Sequence, residues 1–156
     1  MKIALIGYGK MGQAIEAIAL ERGHEIVLKI DISNRLEFTK ENLQKADVAI
    51  EFTSPHSAVE NILQCIENDT PLVCGSTGWL AQLPEIETAL RINDGAFLYA
   101  SNFSLGVNIF FEVNKLLAKL MTGQTAYDVQ MTEVHHTQKK MLQAALPLVW
   151  PNKYWP

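Results

Sequence analysis

Five short aliphatic runs recur along this chain, and the segments between most of them have a helical period. That alternation leaves few folds open. The runs are Lys2–Ile6, Glu25–Ile30, Val48–Phe52, Pro71–Cys74 and Ala96–Ala100. Between them, Gln13–Arg22 places apolar residues at Ala14, Ile15, Ala17, Ile18 and Leu20 and closes at Gly23. His56–Asn68 carries Ala58, Ile62, Cys65 and Ile66 on one side, and Leu80–Ile92 holds Pro84 where a first helical turn tolerates it. Strand–helix alternation of this kind predicts a parallel sheet with crossover helices on its faces. Ligands of such sheets sit beyond the carboxyl ends of the strands. Here those ends read GYGKMG, Asp31, FTSP, GSTG and ASNF, rich in residues of turns and backbone-mediated binding.

The first of these ends is the most informative. Gly7, Gly9 and Gly12 form G-x-G-x-x-G directly after an aliphatic strand and directly before a helix. The first glycine permits a tight turn, the second lets the backbone approach a pyrophosphate, and the third lets helix and strand pack closely. Asp31 closes the second strand, 19 residues beyond Gly12, where a carboxylate accepts hydrogen bonds from a ribose diol. Together these features predict a Rossmann-type, doubly wound parallel α/β sheet that binds a dinucleotide. Asp31 favours the unphosphorylated cofactor. Lys10 and Arg35 are cations that a 2′-phosphate would need, so both NADH and NADPH are admitted.

Composition excludes other classes. With 156 residues and 48% hydrophobic content the chain builds one domain with a true core, or one domain and a fragment. A net charge of −4 gives no reason to expect a nucleic-acid partner. No apolar run approaches the roughly 18 residues that span a bilayer. The apolar start of MKIALIGYGKMG is short and ends in glycines, so it reads as a buried strand rather than a secretion signal. Cys65 and Cys74 form neither a disulfide framework nor a metal pair and read as small buried hydrophobes. A cytoplasmic protein is expected.

From about Phe103 the pattern changes. Gly106–Leu120 is a long helical segment and Asp128–Val134 alternates as a strand. The stretch EVHHTQKK follows, with His135, His136, Lys139 and Lys140 beside Glu133. Cations near a histidine tune it for use as an acid, and two lysines hold a dicarboxylate. A solvated basic loop fits the same residues. A zinc site does not, because adjacent histidines point apart and no third ligand lies at a suitable spacing.

Five motifs in order make residues 1 to 140 resemble one family, the 4-hydroxy-tetrahydrodipicolinate reductases of the diaminopimelate route to lysine. GYGKMG resembles its cofactor loop. EFTSP resembles its D-F-T-x-P, with Glu51 in place of Asp. CGSTGW resembles its G-T-T-G loop, ASNFSLGVN its interdomain joint and EVHHTQKK its substrate loop. The resemblance implies a dinucleotide-binding domain over 1–103 and the opening of an α+β substrate and tetramerisation domain over 104–140. It implies that Gly7, Tyr8, Gly9, Lys10, Met11, Gly12, Asp31, Gly75, Ser76, Thr77, Ala100, Ser101, Asn102 and Phe103 line an NADH or NADPH site. His135 is then the general acid/base, Lys139 the proton donor, and His136 a ligand of a substrate carboxylate. The implied reaction is hydride transfer to a conjugated cyclic imine, and intact members are homotetramers.

Beyond Lys140 the family continues D-A-P-S-G-T-A, whereas this chain reads MLQAALP. The two are one base apart: GAT GCT CCA AGC GGC ACT GCC encodes the family motif, and loss of its first base gives ATG CTC CAA GCG GCA CTG CC. Residues 141–156 are therefore expected to be an out-of-frame tail, and the chain to be a truncated, inactive reductase. Two other readings are another two-domain dehydrogenase, such as one acting on homoserine, and an NAD(H)-sensing module whose apolar tail meets a partner.

Overall fold

The computed structural model describes residues 1–128, 130 and 132. The chain divides into two compact units, Met1–Ser101 and a second beginning at Asn102. His135, His136, Lys139 and the whole of 141–156 lie outside the described residues.

The first unit is built on five parallel strands: β1 (Lys2–Ile6), β2 (Glu25–Ile30), β3 (Val48–Glu51), β4 (Leu72–Cys74) and β5 (Phe97–Tyr99). The helices are α1 (Lys10–Glu21), the short α2 (Lys40–Leu43), α3 (Pro55–Glu67) and α4 (Leu83–Asn93), with 3₁₀ turns at Ile32–Glu37 and Leu80–Gln82. The strand order is β2-β1-β3-β4-β5. The chain runs outward from β1 to β2, then returns past β1 to β3. The strand order therefore reverses between β1 and β3, and the crevice beyond their carboxyl ends is where a doubly wound sheet binds its ligand.

Alternation along the strands divides the core between the two faces. Ala4, Ile6, Ala49, Leu72 and Cys74 pack with Ala58, Ile62, Cys65 and Ile66 of α3 and Ile86 of α4. Ile3 and Leu5 turn the other way and meet Ala19 and Ile15 of α1. Each fully buried Ile or Leu contributes roughly 1.5–3 kcal/mol against its exposed state. Both cysteines are buried and unpaired, and burial pushes the Cys65 thiol up to about 12, that of an inert structural thiol.

Two expectations need correction, and a third falls mostly outside the described residues. The first helix begins at Lys10, not Gln13, because the last residues of the glycine motif already lie in its first turn. Its buried residues are Gly12 and Ala19, while Ile18 and Leu20 are about half exposed. The segment expected as a helix from Leu80 is split, with a 3₁₀ turn before α4, and Pro84 stands in the first turn of α4 as expected. The strand expected over Asp128–Val134 is not seen in Asp128, Gln130 or Thr132, and its other residues lie outside the described part.

The second unit opens with α5 (Leu105–Met121). Ser104 caps it, its hydroxyl accepting from the Val107 N–H at 3.4 Å. Leu105, Ile109, Val113, Leu116 and Leu120 form an apolar stripe that stays half or more exposed. No helix among the described residues is long and apolar enough to cross a membrane.

Candidate functional site

The loops after β1, β3 and β4 are drawn together by missing side chains. Gly7 holds φ +98°, a left-handed conformation that favours glycine. A Cβ there would stand 2.1 Å from the Phe52 carbonyl oxygen. Gly12 lies under the same turn, its hypothetical Cβ 2.3 Å from the Gly7 carbonyl oxygen. Gly75 faces Phe52 from the other side, and a Cβ would fall 2.1 Å from the ring. Phe52 is thus wedged between the loops after β1 and β4, and a methyl at Gly7 or Gly75 would collide with it.

Gly9 is different. Its φ of −81° and extended ψ suit any residue, and a Cβ would meet nothing within 4 Å. Neither backbone strain nor packing calls for glycine here. What remains is the space itself, which lies at the head of α1. Gly9 is the N-cap of that helix, makes no side-chain capping bond, and is followed by no acidic residue in the first turn. Open backbone at a helix N-terminus is suited to a pyrophosphate.

Tyr8 is held beside this turn. Its hydroxyl donates to Glu16 Oε2, and Lys29 Nζ donates to Glu16 Oε1 at 3.2 Å while lying 4.9 Å from the centre of the Tyr8 ring. The Glu16 bond holds the Tyr8 hydroxyl above its ordinary range, and the Tyr8 bond holds Glu16 below its own.

Asp31 closes β2 as expected and is exposed. Its Oδ1 accepts from the Ser33 N–H and the Ser33 hydroxyl, both at 2.6 Å. The Asn34 side chain accepts from the Asp31 N–H at 2.8 Å, completing a capping box. The Ser33 hydroxyl, and then its N–H, hold the carboxyl below its ordinary range. Tyr8, Lys29, Asp31, Ser33, Asn34 and Glu37 line a cavity of about 330 Å³ here. Arg35 does not enter that lining; it bonds Asn61 Oδ1 and Glu60, the latter at 2.9 Å.

On the far side of the crevice, Ser76 is buried and its hydroxyl donates to Glu51 at 3.1 Å. Trp79 fixes this loop. It is fully buried, its indole N–H donates to the Ser76 carbonyl at 2.7 Å, and its ring meets Phe97 and Tyr99 edge-on. Ala100 continues the ladder from β5, donating to the Cys74 carbonyl at 3.3 Å. Asn102 and Phe103 belong to the second unit, where Asn102 Oδ1 accepts from the Ser104 N–H at 2.8 Å.

The first unit therefore brings Gly7–Gly12, Asp31, Gly75–Thr77 and Ala100–Ser101 to one end of its sheet. Glu51, Phe52 and Trp79 stand inside motifs that the sequence displays, but sequence reasoning assigned none of them a role. The paired glycines on either side of the FTSP motif were the one available sign of the Phe52 wedge.

Fold and loops define a pyridine-nucleotide-binding domain of the Rossmann type. Residues 1–103 match the family described as dihydrodipicolinate reductase, N-terminus. The chain is 48% identical over 139 residues to a 4-hydroxy-tetrahydrodipicolinate reductase of Christiangramia forsetii, covering 89% of this chain and 57% of that protein. It is 33% identical over 147 residues to the namesake from Staphylococcus carnosus, again covering 89% and 57%. Among solved structures it is similar to a dipicolinate-bound dihydrodipicolinate reductase from Paenisporosarcina sp. TG-14. The TM-score is 0.68 at 26% identity, over 95% of this chain and 63% of that one. This chain belongs to the dihydrodipicolinate reductase family, and it spans little more than half the length of these two relatives.

Proposed function

We propose that this chain carries the cofactor half of an enzyme that reduces 4-hydroxy-tetrahydrodipicolinate to tetrahydrodipicolinate, in lysine and diaminopimelate synthesis. Membership of the family supports the reaction. Gly9 carries the cofactor reading: it is a glycine that neither the backbone nor the packing needs, at the head of a helix, beside the point where the strand order reverses.

The first-unit residues fit a dinucleotide laid across that point. Gly7–Gly12 present open backbone to the pyrophosphate, Asp31 accepts from the adenosine ribose, and Gly75, Ser76, Thr77, Ala100 and Ser101 lie toward the nicotinamide. By the family resemblance Asn102 and Phe103 complete the lining. The preferred form is NADH. Asp31 and Glu37 both line the cavity at β2, where a 2′-phosphate would meet two carboxylates, and Arg35 is engaged by Glu60 and Asn61. The bound cofactor supplies hydride. The chain's part is to hold it, exclude water and move the accompanying proton, for which His135 is the general acid/base and Lys139 the donor. His136 meets a carboxylate of the dicarboxylate substrate. Preorganised cations of this kind act where negative charge develops.

Residues 141–156 are proposed to be an out-of-frame tail following the opening of a substrate domain over 104–140. The seven residues after Lys140 then replace the serine-glycine-threonine turn that the resemblance implies for a carboxylate. A proton donor without that support is held too loosely for efficient catalysis. The 156-residue chain is expected to bind NADH and to turn over little. A direct assay compares loss of NADH absorbance, in the presence of the imine substrate, for this chain and for a version with D-A-P-S-G-T-A restored and the remaining length supplied from a relative. Activity only in the restored protein supports the proposal. Equal activity overturns the tail reading, and no activity in a folded restored protein overturns the assigned reaction.

A further inference from the structure

Glu51 is fully buried at the carboxyl end of β3, and no ion pair to it occurs among the described residues. A buried carboxylate without a cation is costly unless donors surround it. Here they do. Oε1 accepts from the Thr53 N–H at 3.0 Å, the Ser76 hydroxyl at 3.1 Å, the Thr53 hydroxyl, and more distantly the Asn61 amide at 3.5 Å. Oε2 accepts from the Cys74 thiol at 3.0 Å. The Thr53 N–H is shared with Ser76 Oγ at 2.8 Å, so the two loops are also bonded to each other. Every polar neighbour donates, which is the complement of an acceptor-only carboxylate.

The geometry points to a positioning role. We infer that Glu51 is the tie that locks the FTSP loop after β3 to the GSTG loop after β4, and so sets the nicotinamide side of the site as one rigid surface. The inference rests on the cofactor reading above. Glu51 does not touch the cofactor; it acts through Thr53 and Ser76. Its close bonds go to the loops after β3 and β4, and the longer one goes to Asn61 of α3, which in turn accepts from Arg35 of the turn after β2. The ribose cavity at Asp31 is built from β2 and the turn that follows, whose one link to Glu51 among the described residues is indirect, through Arg35 and the long Asn61 bond, and none of its lining residues bonds Glu51. The tie therefore acts on one half of the dinucleotide.

That asymmetry is the test. NADH and ADP are titrated into the 156-residue chain, the wild type against E51Q, with circular dichroism to show that both fold. Gln keeps the shape but weakens the charge-assisted bonds to the two loops and turns a donor toward Cys74. E51Q is expected to bind NADH about tenfold more weakly, and ADP as the wild type does. E51D, which keeps the carboxylate one methylene shorter, is expected to show a smaller loss in the same direction. Should E51Q not fold, the same NADH-to-ADP comparison on E51D decides. Equal losses for both ligands make Glu51 merely structural and overturn the inference, as does unchanged NADH binding. A wild type that binds no NADH instead overturns the cofactor reading itself.

Discussion

Gly9→Ala and Gly7→Ala are one methyl each, two positions apart, and are expected to have opposite consequences. At Gly9 the new Cβ meets no atom within 4 Å and the φ of −81° is ordinary. Alanine narrows the unfolded ensemble, a gain of about 0.4–1 kcal/mol. It is also a poorer N-cap than glycine, a loss of similar size. The two nearly cancel, so the melting temperature of G9A should lie within a few degrees of the wild type. Binding should suffer, because the methyl occupies the space through which a pyrophosphate reaches the first N–H groups of α1. Loss of one or two charge-assisted bonds, about 1.5–3 kcal/mol each, weakens NADH by at least roughly tenfold. At Gly7 the Cβ lies 2.1 Å from a backbone oxygen, at a φ of +98°. That backbone must move, and G7A should lose several kcal/mol of stability or fail to fold. Thermal melts by circular dichroism and NADH fluorescence titration measure both. A G9A chain as unstable as G7A, or one that binds NADH normally, refutes the reasoning.

Three further outcomes are expected. Trp79→Ala should cost about 3–5 kcal/mol in denaturant unfolding, since it empties a fully buried site and removes the bond to the Ser76 carbonyl. Asp31→Ala should weaken NADH and strengthen NADPH in parallel titrations, because a ribose acceptor is lost together with a repelling charge. Ser33→Ala should move the Asp31 titration up toward its ordinary range, followed by carboxyl NMR. The folded carboxyl is depressed, so its contribution to stability is present above the unfolded titration range and lost as pH falls through the folded one. In S33A that loss should be smaller and complete at a higher pH, and an unchanged Asp31 titration would mean that Ser33 is not its cause.

The readable part of this chain was the part governed by local rules. Glycines at 7, 9 and 12 between an aliphatic run and a helix have few other uses, and Asp31 at a strand end fixed the second half of the ribose argument. The face of α3 was legible because Ala58, Ile62, Cys65 and Ile66 share one side and all four are buried. The face of α1 misled because Ile18 and Leu20 are apolar yet half exposed, and only the packing of Ile15 and Ala19 against Ile3 and Leu5 identifies the buried side. The 3₁₀ turn at Ile32–Glu37 and the short α2 carry too few residues to show a period. Glu51 was the least legible. An acid at a strand end looks solvent-bound in one dimension, and its donors come from Thr53, Asn61, Cys74 and Ser76, up to 25 residues away. The Phe52 wedge is non-local in the same way.

The central claim is that the first unit holds a pyridine dinucleotide across the point between β1 and β3. Amide NMR spectra of the 156-residue chain, recorded during titration with NADH, test it most directly. Saturable shifts gathered at Gly7–Gly12, at Asp31 and at Gly75–Thr77, with α4 unmoved, are the expected result. No saturable shift in a folded chain, or shifts gathered elsewhere on the unit, would contradict the account.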